Sequence, residues 1–447
     1  VTLKKSSDLS NVKSNLDDPS LETAVVSRLM WRLMPFLFLL YIVAYLDRIN
    51  VSFAILQMRS QLHLSDSVYG RAAGMFFAGY LLFQIPSNLI LEKVGVRRWI
   101  ATLMIVWGLV SCLMIFIRGP YSFYSFRFLL GAAEAGFFPG IILYLKRWFP
   151  AGARARAVAL FMTANPLAGV VGSPISGALL GLHGKGLAGW QWLFVMEGTP
   201  AIFLGVMVLW ILKEWPQDAP WLSDAQRGWL MREIERQQSP TPPVGESVKK
   251  PGVLWKILTS GSVWLLSLTF FGVATCMYGI TLWLPSTIRS LSSLSDREIG
   301  VVAVVPYILT AIAMVLVGRH SDRTGERRWH VALAAFMGAA SLTLAASGRS
   351  VFLVVGGMTG GMMGAQAMAG PFWAMATTRM KGSTAAVAIA VINSVANLGG
   401  YFGPWILGLV RSPNGGFAGG LLAIAAVMLM SGCAVLSVRG PRTLPSI

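Results

Sequence analysis

Four ionisable side chains interrupt sequence that is otherwise apolar over helical lengths: Asp47 and Arg48 in one run, Arg127 and Glu134 in another. A charge at the centre of such a run costs several kcal/mol in hydrocarbon, so it is expected to face a cavity or a partner. Adjacent residues point about 100° apart on a helix, which lets one of Asp47 and Arg48 face a cavity while the other meets a neighbouring helix. Arg127 and Glu134 share a helical face roughly 10 Å apart along the axis, too far for a simple intrahelical pair. The arginine therefore needs a substrate or another helix, and the acid needs a proton or a donor. Interhelical salt bridges are the competing reading, and Arg127 has the further option of snorkelling to the nearer membrane surface. Two guanidinium forks match carboxylates. Two acids beside them suit proton coupling, because burial favours a neutral carboxyl and a nearby arginine favours a charged one. A third acid, Glu197, lies a few residues into a later run near Trp190 and Trp192 and reads as an interface or helix contact.

The second part of the chain offers neutral groups instead: Tyr278, Gln366, Trp373, Asn393 and Asn397, with no central acid. Asn393 and Asn397 share a face and can present amides either to a substrate or to adjoining helices. Cys112, Cys276 and Cys433 each sit inside an apolar run, which speaks against zinc or disulfide frameworks. No nucleophile–base constellation, phosphate loop or metal spacing is present, so the chain does not read as an enzyme, and no cofactor is expected beyond H⁺ as a coupling ion.

These groups must be positioned by membrane helices. Of 447 residues, 55% are hydrophobic and 13% charged, with a mean hydropathy of +0.63. Apolar runs bounded by Gly, Pro and charges place spans near 33–57, 70–92, 98–118, 121–146, 157–182, 190–212, 260–288, 298–318, 329–347, 350–378, 383–407 and 416–437. Helices are required, since open sheet edges do not persist in hydrocarbon and the runs are too long for barrel strands. The net charge of +18 would suggest nucleic-acid binding in a soluble domain, but here the basic residues occupy short polar connections. Most of them fall on the side of the N-terminus, which predicts that both termini are cytoplasmic. The polar residues up to about Ser27 carry no targeting-peptide pattern.

The expected organisation is a tail over 1–29, a six-helix bundle over 30–212, a cytoplasmic loop over 213–259, a second bundle over 260–438 and a tail over 439–447. In the loop, Ser223 and Gln226 form a capping-box pattern before Ala225, Trp229, Leu230 and Ile234, the apolar face of an amphipathic helix. Ser239-Pro-Thr-Pro-Pro-Val-Gly reads as a linker. An internal repeat supports the division: Glu92-Lys-Val-Gly95-Val-Arg97-Arg98 recurs as Asp322-Arg323-Thr-Gly325-Glu-Arg327-Arg328. The same offset relates Gly169 to Gly399 and Pro174 to Pro404. Glycine permits the tight turn, while the loop acid can accept hydrogen bonds from helix-end amides and arginines in one conformation and release them in another.

Tyr45-Leu-Asp47-Arg48-Ile-Asn50, the stretch Arg127-Phe-Leu-Leu-Gly131-Ala-Ala-Glu134-Ala-Gly136-Phe-Phe-Pro139-Gly140, and the loop Gly318-Arg-His-Ser-Asp322-Arg323-Thr-Gly325-Glu-Arg327-Arg328 resemble the major facilitator superfamily, specifically its anion:cation symporter family. The first-half loop departs from the pattern at Asn88 and Glu92. The resemblance implies an all-α polytopic membrane protein of the major facilitator fold, with 12 transmembrane helices in two pseudo-symmetric six-helix bundles. It implies proton-coupling roles for Asp47 and Glu134 and an anion site at Arg48 and Arg127. Tyr45, Tyr80, Trp373 and Asn393 occupy family cavity positions, and Glu92, Arg97, Asp322, Arg323 and Arg327 belong to gating loops. Phe137-Phe138-Pro139-Gly140 and Gly189-Trp190-Gln191-Trp192 are most similar to the tartrate-transporter branch. The expected activity is proton-coupled uptake of tartrate or a related dicarboxylate across a bacterial inner membrane, with phthalate, galactonate- or glucarate-like acids and drug efflux as alternatives. The expected partners are a small organic anion, a proton and lipid, not nucleic acid, with one chain as the functional unit.

Overall fold

The computed structural model describes residues 19–184, 186–237, 253–380, 385–411 and 416–438. Among them, 12 helices are long and apolar enough to cross a membrane. Spans 1–6 are Ser20–Gln61, Asp66–Val94, Val96–Phe116, Pro120–Trp148, Ala151–Leu179 and Gly189–Ile211. Spans 7–12 are Gly261–Leu291, Asp296–Thr324, Arg328–Ser347, Val351–Arg379, Val387–Leu409 and Ala418–Ser437. Helices satisfy their backbone groups internally, which is what hydrocarbon demands.

Local sequence sets where these helices begin and break. The side chains of Ser65, Ser295 and Ser350 accept amide hydrogen bonds at the starts of spans 2, 8 and 10. Gly325, at φ 69°, closes span 8 in the left-handed conformation that glycine tolerates best. Helical bonding is interrupted around Ala135–Gly136, Thr163 and Ala303. Each break lies within one turn ahead of a proline: Pro139, Pro166 or Pro306. Proline lacks the amide hydrogen, and its ring crowds the carbonyl four residues back. The first break directly follows Glu134; another, at Asn50, comes two residues after Arg48.

The two bundles pack by equivalent contacts, repeated within one residue of the offset seen in the sequence. A Cβ on Gly70 would stand 2.7 Å from the Pro404 carbonyl oxygen, and one on Gly300 would stand 3.3 Å from Pro174 Cα. The Phe77 ring lies against Gly400 and the Tyr307 ring against Gly169. Span 2 therefore meets span 11 as span 5 meets span 8, with small residues admitting close approach. These contacts lie toward the end opposite the termini. No comparably extensive contact joins the two halves at the terminal end among the described residues.

Two polar latches tie the closed end. Asp66 pairs with Arg59 of its own half and with Arg411 across the divide at 2.6 Å. Its repeat mate Asp296 pairs with Arg289 and accepts from Gln57 Nε2 across the divide at 2.9 Å. Gln57 also donates to the Leu180 carbonyl and accepts from the Trp190 amide.

At the terminal end, Asp224–Gln237 forms a helix. Ser223 and Gln226 make the reciprocal capping bonds at 3.2 and 3.3 Å, and Trp229, Leu230 and Ile234 are buried. Arg28 donates to Gln226 at 2.9 Å, docking this helix on span 1. The proline-rich stretch beginning at Ser239 lies outside the described residues.

Candidate functional site

Arg48 occupies the centre of the molecule. One terminal nitrogen donates to Glu134 Oε2 of span 4 at 2.9 Å, and the other donates to the Tyr278 hydroxyl of span 7 at 3.0 Å. Its guanidinium lies over Phe76 at 5.0 Å and Tyr80 at 5.6 Å, both on span 2. Arg127 lies over the same Phe76 ring at 5.1 Å, with Nη2 directed at the Arg48 carbonyl at 3.5 Å. The Arg48 side chain retains 15% exposure, whereas Arg127 has 0%, so Arg48 is the solvent-accessible member. Full burial excludes the snorkelling option for Arg127. Its Nε and Nη1 lack hydrogen-bond partners, as does Glu134 Oε1. Two arginines thus share one aromatic ring while only Arg48 is ion-paired with Glu134, leaving an excess of positive charge and unused donors at a buried point.

The neighbouring Asp47 turns the other way. It accepts from Ser111 Oγ at 2.7 Å, Trp107 Nε1 at 3.2 Å and Asn50 Nδ2 at 3.5 Å, within the first bundle. The two adjacent charges serve different faces, as helical geometry requires. Asp47 is fully buried and has no salt bridge among the described residues.

Of the other cavity candidates, Tyr80 joins the arginine cluster, and Tyr45 is buried with an unpartnered hydroxyl. Trp373 packs within the second half on Phe270 and Phe372, with ring centroids 5.0 and 5.3 Å apart. Asn393 is half-buried on span 11, and Asn397 Nδ2 lacks a partner. Phe76, which supports both arginines, was not among the sequence candidates; its signal was the aromatic spacing to Tyr80, one helical turn away. Tyr278 stands 230 residues from Arg48, so corresponding positions of the two repeats touch each other.

The gating loops divide their work differently from the sequence expectation. In the second half, Arg327 binds Asp322 at 2.5 Å and Ser321 at 3.1 Å, and Glu326 accepts from the Trp329 amide at 2.9 Å. Arg323 is exposed. In the first half, Glu92 is exposed, and the amides of Val96 and Arg97 are both bonded at 2.9 Å by Glu214, which also pairs with Arg147 at 2.6 Å. The capping acid comes from the segment after span 6, more than a hundred positions away, so local spacing points to Glu92 and misses it.

Residues 37–404 match the Major Facilitator Superfamily. The chain is 47% identical over 426 residues to an Agrobacterium vitis protein described as "Putative tartrate transporter", covering 95% of this chain and 93% of that protein. It is 37% identical over 409 residues to the "Quinolone resistance transporter" of Acinetobacter baumannii, covering 91% and 93%. In fold it is similar to a bacterial homologue of the human lysosomal transporter Spinster in an inward-facing, unoccupied conformation, with a TM-score of 0.73, 17% identity and coverage of 95% and 100%. The chain belongs to the Major Facilitator Superfamily and is a multi-pass membrane transporter, not an enzyme.

Proposed function

We propose that this member of the superfamily imports a small organic dicarboxylate, tartrate or a related hydroxy acid, together with protons by alternating access. The observation that carries the reading is the shared Phe76 platform, where Arg48 and Arg127 present an excess of guanidinium charge over the single paired carboxylate of Glu134. A substrate carboxylate can replace Glu134 and Tyr278 on Arg48, because both hold it by single hydrogen bonds at a partly accessible position. Displaced and buried, Glu134 is costly as a free anion; a proton removes that cost. Proton and substrate binding then favour one another at the same arginine.

The charge bias of the loops supports a cytoplasmic terminal end, and the bacterial relatives support a bacterial inner membrane. On that placement the latches at Asp66 and Asp296 close the external side, and the site faces inward. One chain supplies both halves, so a monomer suffices as the functional unit. Arg48, Arg127, Tyr45, Tyr80, Trp373 and Asn393 are proposed for the cavity; Asp47 and Glu134 for coupling; and Asp322, Arg323, Arg327, Arg97 and Glu92 for the gating surface.

Proteoliposomes carrying an imposed pH gradient test this directly with tartrate, phthalate, galactonate and glucarate. Gradient-driven accumulation of one hydroxy dicarboxylate, abolished by R48A and reduced in D47N and E134Q, is the expected result. Undiminished accumulation by both acid variants would refute the proton role, and a preference for phthalate or a sugar acid would reassign the substrate. A second reading, export of amphipathic aromatic compounds, is favoured by Phe76, Phe77, Tyr80 and Tyr278 around the site; it requires transport to survive R48A.

A further inference from the structure

The two shorter hydrogen bonds to the buried carboxylate of Asp47 both come from span 3. Ser111 Oγ donates to Oδ1 at 2.7 Å, and Trp107 Nε1 donates to Oδ2 at 3.2 Å. The donors stand one helical turn apart on the same face, so each carboxylate oxygen has its own residue. The contact from Asn50 of span 1 is longer, at 3.5 Å.

The two donors differ in what they can do. An indole N–H only donates, whereas a hydroxyl donates or accepts. Trp107 therefore donates in either protonation state of the acid, and more strongly to the anion. Ser111 suits both states: it donates to the anion, and it can accept from the neutral acid while turning its own hydrogen to a carbonyl one turn back in the helix. A proton can enter or leave Asp47 without stranding a buried polar atom on span 3.

Span 3 is itself held in place. A Cβ on Gly108 would stand 2.8 Å from the Gly198 carbonyl oxygen of span 6, and one on Gly198 would stand 2.9 Å from Ser111 Cβ. The buried Trp107 ring meets Phe137 edge-on, with centroids 4.9 Å apart. Phe137 opens the helical segment that resumes after the break following Glu134. One indole thus bonds one acid and packs on the segment adjoining the other.

The charged and titratable neighbours of Asp47 are Arg48 in its own span, Cys112 in span 3, Arg127 and Glu134 in span 4, and Glu197 in span 6. Ala164–Leu179, the part of span 5 that packs on span 1, holds no titratable side chain. Arg48 is turned to Glu134 and Tyr278, which leaves the span 3 donors as the groups that fix the acid.

The repeat separates this role from packing. At the offset of 230, Asp47 is matched by Met277 and Trp107 by Met337, whereas Gly108 and Ser111 recur as Gly338 and Ser341. The small residues of the helix are kept in both halves. The indole is present only where the acid is.

We infer that Trp107 and Ser111 are the positioning residues of the Asp47 proton site: Trp107 holds the carboxylate turned away from Arg48, and Ser111 lets it change protonation state in place. The coupling role of Asp47 rests on the proposed symport, and both residues of span 3 act through that acid.

Infrared difference spectra of the reconstituted full chain, recorded without substrate across about pH 4 to 9, isolate the Asp47 carboxyl as the C=O band that D47N removes. Ser111→Ala deletes a hydrogen bond to the charged form and is expected to move the midpoint of that band up by about 1 pH unit, with Trp107→Phe moving it in the same direction. Ser341→Ala, the same deletion at the repeat position where no acid stands, should leave the midpoint where it is. Because Ser111→Ala removes a single oxygen, the result does not depend on the bulkier change at Trp107. An unmoved midpoint in Ser111→Ala, or a wild type with no band that D47N removes, would overturn the assignment. Gradient-driven uptake decides the coupling role separately. Wild-type uptake by D47N would sink the symport role of Asp47 while the infrared shift still supports the positioning residues. Loss of uptake in D47N with an unmoved band in Ser111→Ala would keep the symport and remove the positioning role.

Discussion

Arg48 and Tyr278 occupy the same position in the two repeats and are bonded to each other at 3.0 Å. One half places a permanent cation at the centre; the other places a neutral phenol. The same division extends outward, with Asp47, Arg127, Glu134 and Glu197 in the first bundle and aromatic or amide groups in the second. Duplicated backbone geometry thus supports unequal chemistry: one bundle carries charge that must be compensated, and the other supplies a surface against which the compensation can change.

The sharpest test of this inequality removes the polar group of each central residue in turn. Arg48→Ala removes the accessible guanidinium and strands Glu134 without its ion pair, and breaking a buried pair costs about 3–5 kcal/mol. Organic-anion affinity, measured by calorimetry, is expected to fall by roughly 100-fold or more. Tyr278→Phe deletes one neutral hydrogen bond, worth about 0.5–1.5 kcal/mol, and is expected to weaken binding only about 2- to 10-fold. Equal losses in the two variants would break the comparison.

The closed end carries a finer contrast. Asp66 crosses the divide by an ion pair to Arg411, whereas Asp296 crosses by a hydrogen bond from Gln57. Asp66→Asn removes a charge from two arginines at once, while Asp296→Asn keeps a carbonyl oxygen to accept from Gln57. Labelling of a cysteine placed on the closed-end surface of span 11 should therefore rise more in Asp66→Asn, on the order of fivefold for a partly exposed pair worth about 1 kcal/mol. Greater opening in Asp296→Asn would reverse the ranking of the latches.

The terminal loops give a smaller difference. Glu214→Gln loses the pair with Arg147 and weakens two amide bonds at the start of span 3, so the thermal midpoint should fall by a few degrees, consistent with the loss of about 1–2 kcal/mol. Glu92→Gln should leave it unchanged. In the second half, burial pushes the Glu326 carboxyl up, but its bonds from the Trp329 and His330 amides and the His330 ring outweigh this and hold it below the ordinary glutamate range. A depressed folded-state value means that its contribution is present above the unfolded value and lost as pH falls through the folded one. Acidification below about pH 4 should therefore lower the melting midpoint slightly in the wild type, and by less in Glu326→Gln.

Much of this molecule is legible in one dimension. Apolar run lengths mark the helices, and the Glu92 and Asp322 loops reveal the repeat. Asp47, Arg48, Arg127 and Glu134 stand out because charge within hydrocarbon needs a reason. These signals are local: each depends on a few consecutive residues and on the solvent they must meet.

The pairings among those charges are not local. Arg48 alone does not reveal that it faces Glu134 and Tyr278 while Asp47 turns to Ser111, because helix phase becomes a contact only when neighbouring spans are placed. Glu92 has the repeat position of a gating acid, yet Glu214 reaches the helix end. Glu197 resembles an interfacial anchor until packing buries it and brings Ser176 of span 5 to its carboxylate. Sequence determines which polar groups enter the membrane; tertiary packing decides which of them meet, since a hydrogen bond forms over about 3 Å and spans of any sequence separation can supply its two ends.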